Sequence, residues 1–498
     1  MKKLKFNYFM SCINNLISFT YPLLILPYLT KIFSPEQLGI RSYINTILYY
    51  FLILGELGTN LYGTRLVAYN QNKKTNLKKY FNEILMLKLI LILVIYIFFL
   101  IYNLMFNKLY ISYFFISSLV IIARIFDINW YFNGIEKYNE IFLRNIVIKI
   151  ITFIIIMVFV RKSNDFSKLL LIFSLSEVIG NMIIFIKGFN IVDFKYLVKT
   201  SRAKYIFHFF QSLKLFIPRS LETLYMTIDK LVLSYFHLFI ELTYYDITQL
   251  ILKIPQLVIS SLTNIMFSRI SNLVSNNQKT RMRVIIRNTV LFSCLITIPT
   301  VFGIMVLKKE MILIFLGVEY LALEKMLLIG SGIIFFNSLN LIIKDQVLLP
   351  LKQEKKAAKY LLIMILFNSL GNIIIVSKLG VVGILIVSLF SEILLLIFLF
   401  KFIREILEES KFKIEVLKIF FATIVMTAQI LLLKKFFKIT DKVSISLVIL
   451  LSIIIYLIIL FILNEEIIVE IRNIFLQRKD SLKKIKEDNL NNRGDINL

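Results

Sequence analysis

The sequence predicts an all-α polytopic membrane protein, on three observations. Apolar residues make up 58% of the 498 positions and mean hydropathy is +0.80, which excludes a chain that folds around one core in water. The apolar residues form continuous runs of spanning length, such as 84–101 broken only by Lys88, rather than the short alternating segments of a membrane barrel. Lys and Arg number 58 against 31 Asp and Glu, a net charge of +27, and they gather in the turns between the runs. Basic turns are what membrane topology requires, so nucleic acid is not expected as a partner.

Apolar runs set against polar breaks give fourteen candidate spans: 8–31, 40–63, 80–106, 109–132, 141–160, 166–187, 210–236, 242–267, 284–307, 325–349, 359–378, 380–402, 413–434 and 442–463. The first follows Lys2, Lys3 and Lys5 without a small-residue cleavage site, so it is expected to stay as a helix. Alternate connections carry about 35 and about 14 basic residues, and the richer set holds both ends of the chain, which places both termini in the cytoplasm. An even number of crossings follows.

The longest basic connection divides the spans six from eight. Lys195, Lys199, Arg202 and Lys204 stand beside Tyr196, Phe207 and Phe209 there, a pattern suited to an amphipathic segment on anionic headgroups. The expected organisation is an N-terminal six-helix lobe (1–188), a basic interfacial linker (189–209), a C-terminal six-helix lobe (210–403), two additional helices (404–464) and a charged cytoplasmic tail (465–498). A weak repeat supports it, with Tyr21-Pro22 in span 1 matching Ile217-Pro218 in span 7. Six crossings per copy give both copies the same orientation.

Catalytic patterns are nearly absent. Cys12 and Cys294 lie in apolar runs, and His208 and His237 stand apart from other metal-type ligands. Gly330-Ser331-Gly332 starts like a dinucleotide loop, but Phe335 holds the place of the third glycine. No catalytic residue, metal or cofactor is expected. What remains is a set of ionisable residues within spans, which are costly there and so point to function. The cations are Arg124, Lys149, Lys214, Arg219 and Lys253, and the acids are Glu56, Asp127, Glu177, Glu222, Asp229 and Glu392. Span 7 is the most polar, and Pro218, Pro22, Pro27 and Pro255 would kink helices that carry these charges.

From about Asn14 to about Glu392 the chain resembles the bacterial repeat-unit flippases of O-antigen and capsule synthesis, in the multidrug/oligosaccharidyl-lipid/polysaccharide exporter superfamily. The resemblance rests on residues 21–30 (YPLLILPYLT), 34–39 (SPEQLG) and above all 127–138 (DINWYFNGIEKY), continued by Arg144-Asn145. Further matches are Leu224-Tyr225, Asp229-Lys230, Tyr244-Tyr245-Asp246 leading to Lys253-Ile254-Pro255, 267–271 (FSRIS) and 345–350 (DQVLLP). Thr243 stands where the family often has Gly, and Ser268 where Pro is commoner. The resemblance implies 12–14 transmembrane helices in two lobes around a central cavity, alternating access, and undecaprenyl-pyrophosphate-linked oligosaccharide as substrate. It also implies the bacterial cytoplasmic membrane as location, with polysaccharide polymerase and glycosyltransferases as pathway partners.

That substrate calls for a wet, cationic lumen, because a pyrophosphate and several sugars cannot cross hydrocarbon bare. Arg219, Lys253, Lys214 and Arg124 are the expected cation surface, with Tyr225 and Asn14 against sugars. Residues 127–136 are expected to hold loop geometry. Glu56, Glu177, Asp229 and Glu392 either carry a proton or Na⁺ in exchange or balance the cations. Two rivals are a cation-coupled drug exporter, whose lumen would be acidic and apolar, and a membrane-embedded glycosyltransferase or polymerase, which would need a large external loop.

Overall fold

The computed structural model describes residues 17–18, 20–71, 74–193, 202–404, 410–437, 439–469 and 472, apart from the side chains at 74, 75, 218, 219, 222, 226 and 410. Among these residues every regular element is helical, and 11 helices are long and apolar enough to cross a membrane. The chain is a multi-pass membrane protein. In order the main helices are α1 (20–32), α2 (Pro35–Glu56), α3 (Thr59–Tyr69), α4 (Lys74–Phe106), α5 (Ile111–Ala123), α6 (Asn129–Gly134), α7 (Tyr138–Phe159) and α8 (Phe166–Gly188). After them come α9 (Arg202–Tyr235), α10 (Phe239–Ser275), α11 (Lys279–Phe315), α12 (Leu323–Ile342), α13 (Glu354–Phe400), α14 (Ser410–Phe436) and α15 (Lys442–Ile462).

Where the helices depart from the expected spans, a local residue explains it. Leu57 and Gly58 take left-handed backbone, with φ of 39° and 76°, and divide the expected span 40–63 into α2 and α3. Gly380 at φ 53° breaks α13 where two spans were expected. Helix α9 is not among the 11, because Lys214, Arg219, Glu222, Asp229 and Lys230 lower its hydropathy. Its first turns take in residues 202–209 of the expected linker, since no Gly or Pro interrupts the chain before Pro218; residues 194–201 lie outside the described residues. Of the expected tail, residues 470–471 and 473–498 lie outside them too.

The chain divides into two compact units, one of Met1–Ile254 with Leu316–Met326 and Ala358–Ser391, the other of Pro255–Phe315 with Leu327–Ala357 and Glu392–Leu498. In the first, 127–138 forms the centre of a packed core. Trp130, Tyr131 and Phe132 join Val67, Phe81, Ile84 and Ile184, with Phe81 and Trp130 stacked at 5.3 Å. Gly63 is required there, because a Cβ would overlap the Trp130 ring. Beside this core Lys88 is fully buried; its Nζ donates to Asn60 Oδ1 at 2.8 Å and to the Asp127 carbonyl at 2.7 Å, and lies 3.6 Å from the Asp127 carboxylate. Asp127 in turn accepts from the Asn129 amide at 3.0 Å, which starts α6.

At one end of this unit the starts of α2 and α10 meet the α7–α8 turn. Ser34 and Gln37 form a capping box with Pro35 at the first helical position. The Gln37 amide donates to the Ser163 carbonyl at 3.2 Å, and the Thr243 hydroxyl to the Pro35 carbonyl at 2.6 Å. Between these bonds Gly39 sits against the Phe239 backbone, so close that a Cβ would overlap its carbonyl.

In the second unit the last two helices are fastened along α11. Lys434 pairs with Glu310 at 2.7 Å and donates to the Val306 carbonyl at 2.9 Å. The Tyr456 hydroxyl donates to the Leu295 carbonyl at 2.9 Å, and Arg287 pairs with Glu466.

Replacing Lys88 by Ala leaves Asp127 buried beside Arg124 alone and is expected to cost about 3–5 kcal/mol, the usual penalty for breaking a buried pair. Thermal unfolding of purified protein should show a clear fall in midpoint that Lys88→Met with Asp127→Asn largely restores. An unchanged midpoint for Lys88→Ala would show that the pair does not hold this core.

Candidate functional site

A chamber of about 980 Å³ opens within the first unit. Helical periodicity brings its lining together. Arg144, Asn145, Ile148, Lys149 and Thr152 are one face of α7, and Phe173, Ser174, Glu177, Gly180 and Asn181 are one face of α8. Helix α2 adds Arg41 and Asn45, the end of α5 adds Arg124, and α6 adds Asn129 and Asn133. Among the described residues the wall therefore carries Arg41, Arg124, Arg144 and Lys149 against the single acid Glu177, interleaved with five asparagines and the rings of Tyr21, Tyr138, Phe142 and Phe173.

A second chamber of about 390 Å³ shares Tyr21, Arg41, Asn45 and Phe173 with the first. It adds Lys230, Asp246 and Lys253, and its wall is otherwise apolar, with Ile25, Leu26, Leu29 and Leu250. Asp246 is shared between Lys230 and the Ser42 hydroxyl.

Each cation is held differently. Arg124 is offset by Glu56 at 3.8 Å and Asp127 at 3.7 Å. Arg144 donates to Asn181 Oδ1 at 2.9 Å and Asn129 Oδ1 at 3.0 Å, both neutral. Lys149 donates to the Ser18 hydroxyl at 2.8 Å, and the Arg41 guanidinium lies 4.3 Å from the centre of the Phe173 ring. A surface of this kind can hold an anion by charge while amides bond hydroxyls and rings stack on sugar faces.

Of the residues singled out in the sequence, Arg124, Lys149 and Glu177 line the large chamber and Lys253 the small one. Glu56 lies behind the wall as a partner of Arg124. Lys214 is exposed and Tyr225 half-buried, and neither lines either chamber. The Arg219 side chain and Asn14 lie outside the described residues. Asp229 is buried and accepts from the Tyr245 hydroxyl at 2.7 Å, the Ser388 hydroxyl at 2.8 Å and Asn372 Nδ2 at 2.8 Å, all neutral donors. Glu392, in the second unit, is buried and accepts from Asn337 at 2.8 Å and Asn340 at 2.7 Å. Sequence reasoning did not assign Arg41, Arg144, Lys149 or the asparagines to the site. The readable signal was the polar residues at four-residue steps on α7 and α8.

Helix content, eleven spanning helices and a polar chamber within the bundle define an integral-membrane transporter fold. Residues 4–274 match the family model described as polysaccharide biosynthesis protein, and the chain belongs to that family. It is 23% identical over 402 residues to a protein assigned as an O-antigen transporter in Shigella dysenteriae, covering 78% of this chain and 96% of that one. Over 139 residues, 28% of this chain and 29% of the other, it is 28% identical to a protein assigned as a low-salt glycan biosynthesis flippase in Haloferax volcanii. Among solved structures it is similar to the lipid II flippase MurJ in an inward closed conformation, with a TM-score of 0.67, 18% identity and coverage of 92% of this chain and 99% of that one. An inward-facing multidrug resistance MATE family transporter of the MOP superfamily gives a TM-score of 0.59 at 14% identity, over 80% of this chain and 96% of the other.

If the large chamber is wet, Asn145→Cys in a chain lacking Cys12 and Cys294 should react with a membrane-impermeant maleimide. Ile154→Cys, on the opposite, 55% exposed face of α7, should not, because it meets lipid. Equal labelling at both positions would mean that the chamber is not an aqueous path.

Proposed function

We propose that this protein translocates undecaprenyl-diphosphate-linked oligosaccharide repeat units across the bacterial cytoplasmic membrane for surface-polysaccharide synthesis, working by alternating access. The single observation that carries the reading is the large chamber, where cations outnumber acids four to one and alternate with asparagines and aromatic rings. Diphosphate and sugar hydroxyls need those groups, while the isoprenoid chain stays among lipid. The relative assigned as an O-antigen transporter supports the reading. A drug exporter for organic cations would be repelled by the same wall.

In this reading residues 1–188 and 210–403 are the lobes that rock about the site, joined through the basic connection at 189–209, and both termini face the cytoplasm. Arg41, Lys253 and Arg124 form the cation surface, Arg219 joins them and Asn14 meets sugars, whereas Lys214 and Tyr225, which line neither chamber, stay outside the contact. Asp229 is the coupling residue for a proton or Na⁺, because burial among neutral donors leaves its charge to be balanced by a small cation. Glu392, Glu177 and Glu56 are the remaining candidates, Glu56 the least available because Arg124 already offsets it.

Purified protein in vesicles loaded with undecaprenyl-diphosphate glycan should expose glycan at the opposite face faster than empty vesicles do. Lys253→Ala and Arg219→Ala should each lower that rate by about tenfold or more at unchanged protein level, the loss of one charge-assisted contact to phosphate. Wild-type rates would remove the residue from the site, and no translocation by the unaltered protein would remove the function.

Imposed proton and Na⁺ gradients distinguish the acids. Asp229→Asn should abolish the response to the coupling ion, whereas Glu56→Gln should retain it. A full response in Asp229→Asn moves coupling elsewhere.

A further inference from the structure

Among the described residues, four cations of the two chambers, Arg41, Arg144, Lys149 and Lys253, have no carboxylate within 4.0 Å. Four other cations within helices are paired: Lys88 with Asp127, Arg124 with Glu56, Lys230 with Asp246, and Lys434 with Glu310. The contrast is informative, since an unpaired charge at membrane depth is costly, and Arg41, Arg144 and Lys149 are steadied by neutral groups that leave their charge intact. Arg144 rests between Asn129 and Asn181 with its buried Nε unpartnered, and Lys149 rests on Ser18. Among the described chamber residues the acids are Glu177, which has no ion pair within 4.0 Å, and Asp246, which is paired with Lys230.

The four are also spread in depth. The starts of α2 and α10 and the end of α7 share one end of the unit, where Gln37 meets Ser163 and Gly39 meets Phe239. Counted from there at ~1.5 Å per residue, Arg41 lies about 9 Å in, Lys149 about 15 Å, Lys253 about 21 Å and Arg144 about 22 Å. The two phosphoryl groups of a diphosphate diester carry two negative charges, so they leave two of the four cations without a counter-charge. Arg41 and Lys253 line the smaller, largely apolar chamber, which suits the diphosphate and the first isoprene unit. Arg144 and Lys149 lie among the asparagines, where sugars would rest.

Building on the proposed function, we infer that the glycan itself is acidic: a carboxylated sugar of the repeat unit is met by Arg144 and Lys149, while Arg41 and Lys253 hold the diphosphate. The sugar carboxylate completes the neutralisation that the diphosphate leaves unfinished.

The test uses the full-length protein in vesicles with two undecaprenyl-diphosphate trisaccharides that differ in one sugar, glucuronate or glucose. The glucuronate compound should be translocated about tenfold faster, the equivalent of ~1.4 kcal/mol. Lys149→Gln should bring the two rates together and Lys149→Arg should restore the difference, whereas Arg41→Gln should slow both compounds alike. Equal rates in the unaltered protein would overturn the inference and leave the flippase standing. Movement of neither compound would overturn both.

Discussion

Hydrocarbon does not solvate charge, so every ionic side chain that this chain carries into the membrane must meet an opposite charge, a set of polar donors or water. That requirement organises the described residues. Lys88 and Asp127 are sealed into the core of the first unit, and Lys434 and Glu310 secure the last helices of the second. Arg41, Arg144, Lys149 and Lys253 have no described carboxylate within 4.0 Å, and all four border open chambers. The pairing pattern thus separates ions that build the protein from ions left facing space.

The same rule explains why the segment 127–138 is both prominent in the sequence and close to the chamber. Trp130 and its neighbours fill the core, Asp127 anchors Lys88, and Asn129 and Asn133 emerge on the chamber side. A packed support therefore stands directly behind the polar wall. Such a support holds the asparagine amides in fixed orientation, which recognition of hydroxyl groups requires.

Much of the helical plan was legible from hydropathy alone, because spans of this length and apolarity have few alternatives. The exceptions were residues whose backbone decides locally, Leu57 with Gly58 and Gly380, where a left-handed φ ends or breaks a helix inside an apolar run. The site was less legible. Arg124 looked like a free cation because Glu56 is 68 positions away in the chain and only folding brings the two within 3.8 Å. Arg41 drew no attention at the start of an apolar span and Arg144 read as the continuation of a motif, and neither composition nor spacing shows that both look into one hollow. Lys253 and Glu177 were readable because each sits too deep in its helix to reach the headgroups.

Gly39 has no side chain to withdraw, and the Phe239 carbonyl occupies the space where one would begin. The helix ends at this seam therefore shut backbone against backbone, like a lid ground flush to its rim. Any larger residue at position 39 would act as a doorstop, forcing the start of α10 away from α2.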